Sequence, residues 1–98
     1  MNIEGKVAVI TGGASGLGRA TAEKIIAKGG KVAVLDLNKD LAEQTASELG
    51  NAKAYEVNVT ENASVTTAIE SVKNDFGTIH INVNCAGIGA ASRTVGKD

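Results

Sequence analysis

The chain has 98 residues, 43% of them hydrophobic and 21% charged, with a formal net charge of −1. That length supplies one domain with a real core and no second one, while ten basic against eleven acidic residues leave no electrostatic footprint for nucleic acid or an anionic membrane. The single cysteine, Cys85, excludes an intramolecular disulfide framework and a Cys-rich zinc site.

Taken in order, runs rich in Val and Ile at Val7–Thr11, 32–36, 54–57 and 79–84 predict four strands. The first intervening helix begins near Gly16, carries Leu17, Thr21, Ile25 and Ile26 on one face, and ends at Gly29-Gly30. The second carries Leu41, Ala42, Thr45, Ala46 and Leu49 and ends at Gly50. The third carries Val65, Ala68, Ile69, Val72 and Phe76 and ends at Gly77. Asn38 and Thr60 suit the N-cap positions of the second and third helices. Helical crossovers make the strands parallel, and right-handed connections fix the winding. The expected fold is α/β, a Rossmann-like doubly wound parallel sheet in β-α-β-α-β-α-β order, with strands ordered 3-2-1-4 and helices on both faces. The third run alternates with polar residues and suits an outer strand; residues 87–98 lose periodicity and read as a loop. No run approaches the ~20 apolar residues of a membrane span. No secretory signal precedes the first strand, so a soluble, cytoplasmic protein is expected.

The first strand runs into Thr11-Gly12-Gly13-Ala14-Ser15-Gly16-Leu17-Gly18, and a helix follows. A strand end, a tight turn and a helix N-terminus aim backbone N–H groups and a partial positive charge at one point, where a pyrophosphate can sit. Gly12 permits the turn, Gly16 lets backbone approach the phosphates, and Gly18 lets the helix pack close to the sheet. An ATPase loop, G-x-x-x-x-G-K-S/T, shares the spacing of Gly13 and Gly18, but Arg19 and Ala20 follow, and Ala20 has no hydroxyl for Mg²⁺. A dinucleotide site instead requires an acid at the end of the second strand. Asp36 stands there, eighteen residues after Gly18. Its carboxylate can accept from both adenosine ribose hydroxyls, each charge-assisted bond contributing roughly 1.5–3 kcal/mol. It would repel a 2′-phosphate, and no basic residue at Ala14, Ser15 or Leu37 offsets that; Lys39 is expected in the first turn of the next helix. NAD is favoured over NADP.

At these residues the chain resembles the short-chain dehydrogenase/reductase family. The family pattern Thr-Gly-x-x-x-Gly-x-Gly is matched at Thr11, Gly12, Gly16 and Gly18, and a second pattern at the end of the fourth strand by Asn84-Cys85-Ala86-Gly87. More narrowly, the segments around these motifs are similar to the 3-hydroxyacyl-CoA dehydrogenases of type 2, a group that also oxidises hydroxysteroids. The resemblance implies that Ser15 and Leu17 touch the pyrophosphate and that Asp36 holds the ribose. It also implies that Asn58 and Val59 flank the adenine, and that Cys85, Ala86 and Gly87 line the nicotinamide-side ribose. The family carries Asp where this chain has Asn58, which weakens the adenine contact; Asn84 reads either as a cofactor-side residue or as a bridge between strands. A small-molecule substrate, a homotetramer, and the mitochondrial matrix as an alternative compartment are further implications.

In that family the chemistry depends on a Tyr-x-x-x-Lys pair and an upstream Ser. Tyr55 is the one tyrosine here, lies on the third strand, and is followed four positions on by Val59. His80 opens the fourth strand with no carboxylate or nucleophile as partner, and Cys85 reads as a small buried hydrophobe. No residue of the 98 is assigned to catalysis, and none to a metal. Residues 1–98 are therefore expected to form the N-terminal NAD-binding portion of a dehydrogenase, or else a stand-alone nucleotide-binding module.

Overall fold

The computed structural model describes residues 2–14 and 16–85. Its elements are β1 (Val7–Thr11), α1 (Gly16–Ala27), β2 (Lys31–Asp36), α2 (Lys39–Leu49), β3 (Ala52–Glu56), α3 (Asn62–Phe76) and β4 (Ile81–Asn84). The four strands form one parallel sheet in the order β3-β2-β1-β4, as the sequence predicts. Ser15, Ala86 and Gly87, expected at the cofactor, lie outside the described residues.

Alternation along β1 and β2 divides the core. Ala8, Ile10, Val32 and Val34 pack with Ala22 and Ile25 of α1 and Ala42 and Ala46 of α2. The odd-numbered neighbours Val7, Val9, Ala33 and Leu35 pack on the opposite face with Val57 and with Ala68 and Val72 of α3. Strands covered on both faces need unbroken hydrophobic runs, and β1 and β2 have them. Each fully buried Val or Ile contributes about 1.5–3 kcal/mol relative to exposure.

Three local expectations are corrected. Leu17 is not on the core face of α1: it is 73% exposed, and the buried residues are Gly18, Ala22 and Ile25. The helix lies so close to the sheet that small residues line its contact, and the hydrophobic pattern overlooks them. Thr60 does not cap α3. Its hydroxyl donates to Asn58 Oδ1 (2.7 Å), a turn forms from Asn58 to Glu61, and Glu61 takes the N-cap position without a side-chain bond. Asn38, by contrast, caps α2 through Oδ1, which accepts from the Leu41 N–H at 3.0 Å. Strand β3 begins two residues earlier than predicted and β4 two residues later.

His80 precedes β4 and still joins it to the sheet. Its N–H donates to the Val7 carbonyl (2.9 Å), and its Nδ1 accepts from the Val7 N–H (3.0 Å). The imidazole thus replaces a backbone acceptor for a strand residue that is 2% exposed. We expect His80→Leu to lower the unfolding free energy of the full chain by about 1 kcal/mol, because the Val7 N–H loses its acceptor. Urea denaturation checks this; an unchanged midpoint would show that water substitutes freely.

Candidate functional site

Parallel register brings the C-terminal strand ends to one edge: Thr11 lies beside Leu35 and Asn84, and Asp36 beside Glu56. In a doubly wound sheet a ligand crevice opens at this edge, where the strand order reverses between β1 and its two neighbours. The glycine-rich segment after β1 is held over it by the Gly12 N–H, which donates to the Leu35 carbonyl at 2.7 Å. Gly16 opens α1 with φ +53°, a conformation unfavourable for residues with a Cβ, and nothing lies within 4 Å of where that Cβ would be. Gly18 is the reverse case. A Cβ there would run into the Gly12 carbonyl and stand 2.8 Å from the Gly13 Cα. One glycine leaves open space above the helix N-terminus and the other lets that N-terminus reach the turn. The first-turn N–H groups of a helix lack intrahelical partners, and the first turn of α1 carries no acidic side chain. An anion fits.

Asp36 is tied to this loop rather than dangling at the strand end. Its Oδ2 accepts from the Ala14 N–H (3.2 Å) and its Oδ1 from the Asn38 N–H (3.1 Å). A carboxylate offers about four acceptor positions, so the half-buried group retains room for two more donors. Lys39 sits at the start of α2, as expected, with Nζ 3.9 Å from the Glu43 carboxylate. Arg19, the residue an ATPase reading would need, points its guanidinium at Glu23 (3.2 Å) and Glu48 (2.8 Å) across α1 and α2.

Among the described residues, the exposed large hydrophobics are Leu17, Leu37 and Val59. They follow β1, β2 and β3 respectively, so all three rim the same edge. Sequence reasoning singles out Leu17 and Val59 but passes over Leu37 as a contact. Its signal is available: a large apolar residue immediately after the acid, outside any periodic run. Asn58 and Val59 follow β3 at this edge, but Asn58 Oδ1 accepts from both the N–H (3.0 Å) and the hydroxyl (2.7 Å) of Thr60. The Asn58 N–H donates to Ser64 Oγ at 2.9 Å.

At the end of β4, the Thr11 hydroxyl donates to Asn84 Oδ1 at 2.9 Å, a bridge between strands of the kind the sequence leaves open for Asn84. The Cys85 N–H donates to the Thr11 carbonyl (2.9 Å), and the side chain packs against the core. Burial pushes the Cys85 thiol up, with a smaller opposing effect from a hydrogen bond to Thr21. It is not an activated nucleophile. Tyr55 donates to Asp75 at 2.7 Å, linking β3 to α3 beside Lys53. Burial, and then the Asp75 carboxylate, hold its phenol well above the usual range, opposite to what an acid/base tyrosine needs. Among the described residues no group of three or more His, Cys, Asp or Glu could hold a metal, and no helix is long and apolar enough to cross a membrane.

The same frame occurs in known proteins. A family model for short chain dehydrogenases matches residues 6–97. The chain is 46% identical over 94 residues to the 3-hydroxyacyl-CoA dehydrogenase type-2 of Homo sapiens, covering 95% of this chain and 36% of that protein. It is 42% identical over 89 residues to the 3-oxoacyl-(acyl-carrier-protein) reductase of Escherichia coli, covering 90% and 36%. It spans about a third of the length of these curated relatives. A solved structure, the 3-ketoacyl-(acyl-carrier-protein) reductase from Brucella melitensis complexed with NADH, is similar with a TM-score of 0.79 and 37% identity. That likeness covers 82% of this chain and 33% of the other. With the glycine turn, the strand order and the acid at the end of β2 in place, the chain belongs to the short chain dehydrogenase family.

Proposed function

We propose that this chain binds NAD(H) at the C-terminal edge of its sheet. It would then be the cofactor portion of an oxidoreductase that moves a hydride between nicotinamide and a secondary alcohol or ketone. The observation that carries this reading is the Asp36 carboxylate, oriented by the Ala14 and Asn38 N–H groups beside the glycine-rich turn. When bound, the nicotinamide supplies the hydride chemistry. The protein's own part is to bind and orient. Gly12, Ser15, Gly16, Leu17 and Gly18 receive the pyrophosphate, the free acceptor positions of Asp36 take the adenosine ribose hydroxyls, and Leu37 and Val59 cover the adenine. Asn58 contributes from the same edge, where its Oδ1 already accepts two bonds from Thr60. Cys85, Ala86 and Gly87 line the nicotinamide side.

None of the 98 residues is proposed for proton transfer, a role we give to a Tyr-x-x-x-Lys pair elsewhere in a longer polypeptide. The relatives named above are a 3-hydroxyacyl-CoA dehydrogenase and a 3-oxoacyl-(acyl-carrier-protein) reductase, which supports a 3-hydroxyacyl or 3-oxoacyl thioester as substrate. The homotetramer, and the mitochondrial matrix as an alternative compartment, follow from the family resemblance alone.

Titrating the full-length protein with NADH and with NADPH, followed by nicotinamide fluorescence, tests the reading. We expect NADH to bind at least tenfold more tightly, since a 2′-phosphate would meet the Asp36 carboxylate. Equal affinity, or preference for NADPH, would show that Asp36 does not face the ribose.

A further inference from the structure

Among the described residues, Thr45 is the fully buried polar side chain of the core. It lies in α2 between Ala42 and Ala46, which fill the neighbouring buried positions with the best helix former. A threonine inside a helix commonly returns its hydroxyl to the carbonyl four residues back. Thr21 of α1 does this, donating to Leu17 O at 2.9 Å. Thr45 instead donates out of its helix, to the Ala14 carbonyl of the glycine-rich turn at 3.2 Å. Ala14, 3% exposed, is thereby held from both sides: its carbonyl by Thr45 and its N–H by Asp36 Oδ2.

We propose that Thr45 is a positioning residue for the cofactor: by anchoring the Ala14 carbonyl from α2, it restrains the residue whose N–H, on the preceding peptide, holds the Asp36 carboxylate in its ribose-accepting orientation. The inference rests on the NAD(H) reading above. Thr45 touches neither cofactor nor substrate. It acts through Ala14, which donates to Asp36 while its own carbonyl is restrained. Without the hydroxyl, Ala14 keeps only one of its two tethers, its backbone dihedrals are less restrained, and the N–H it presents to Asp36 Oδ2 is no longer fixed. Both ribose recognition and rejection of a 2′-phosphate then weaken, because both depend on where that carboxylate stands.

The test uses the full-length protein with Thr45→Val and Thr45→Ala, which remove the hydroxyl, and Thr45→Ser, which keeps it. NADH and NADPH dissociation constants and thermal midpoints are measured for each. We expect the valine or alanine variant to weaken NADH binding roughly three- to tenfold and to lower the preference for NADH over NADPH. The serine variant should restore both. In an Asp36→Ala background, removing the hydroxyl should leave NADH affinity unchanged within twofold, since the carboxylate it positions is gone. A purely structural threonine gives another pattern: lower thermal midpoints in the valine and alanine variants with NADH affinity and cofactor preference unmoved. That pattern, or serine behaving like valine, would overturn the proposal. A wild-type protein that binds neither nucleotide would overturn the NAD(H) reading itself, and this inference with it. Alanine is the better helix former, so Thr45→Ala carries the test if the Thr45→Val protein does not fold.

Discussion

Replacing Gly18 by Ala is expected to cost roughly 1–3 kcal/mol of stability, toward the upper end, because the atoms its Cβ would meet are backbone atoms of Gly12 and Gly13. A flexible side chain could move aside; a peptide at the end of β1 cannot do so without lifting α1 from the sheet. The first turn of α1 is also the proposed anion site, so NADH affinity should fall by about tenfold or more with it. Gly16→Ala provides the contrast. It meets open space and carries only the left-handed backbone penalty, about 1–2 kcal/mol. Urea denaturation of the two variants, followed by NADH titration of each, separates close approach from conformation. A Gly18→Ala protein as stable as wild type would mean that α1 is not seated as described.

The second large effect is expected at Asp36. Asp36→Ala removes the proposed acceptors for the ribose hydroxyls, and loss of even one charge-assisted bond weakens NADH binding by about tenfold or more. NADPH moves the other way, as the like charge facing a 2′-phosphate disappears. The preference for NADH therefore narrows or inverts. The alanine variant also strips the acceptors from the Ala14 and Asn38 N–H groups, so some loss of stability accompanies it. Asp36→Asn keeps a side-chain oxygen there without the charge. It should be more stable than Asp36→Ala while showing most of the same change in cofactor preference. Two variants alike in stability and both unchanged in preference would refute the assignment.

Much of this site is legible in the sequence because it depends on local order along the chain. A Val- and Ile-rich run, a glycine triplet and a helix need only be adjacent to place a glycine-rich turn at the strand end, and Asp36 needs only to end the next strand. Parallel pairing follows from the helices between strands, and so does the order β3-β2-β1-β4. What cannot be read depends on contacts between distant positions. The Thr45–Ala14 bond joins residues 31 apart that share no period. Apolar spacing assigns Leu17 to the core because it gives weight to large residues. The buried face of α1 is Gly18, Ala22 and Ile25, and of these apolar spacing finds only Ile25, because the other two are small. Thr60 does not act as a cap for a similar reason: its hydroxyl has a nearer partner in Asn58.

The position of β4 has an entropic consequence. Its pairing with β1 brings together residues 73 positions apart, whereas Val7 and its β2 partner Lys31 are separated by only 24. Closing the longer span costs about 1 kcal/mol more in chain entropy. The extra side-chain bonds lie at both ends of that seam: the His80 ring on the Val7 N–H at one end, and the Thr11 hydroxyl on Asn84 at the other. Each contributes about 0.5–1.5 kcal/mol, so the two together offset the penalty of the longer closure. The strand on which the crevice depends is thus the one whose pairing is reinforced by side chains at top and bottom.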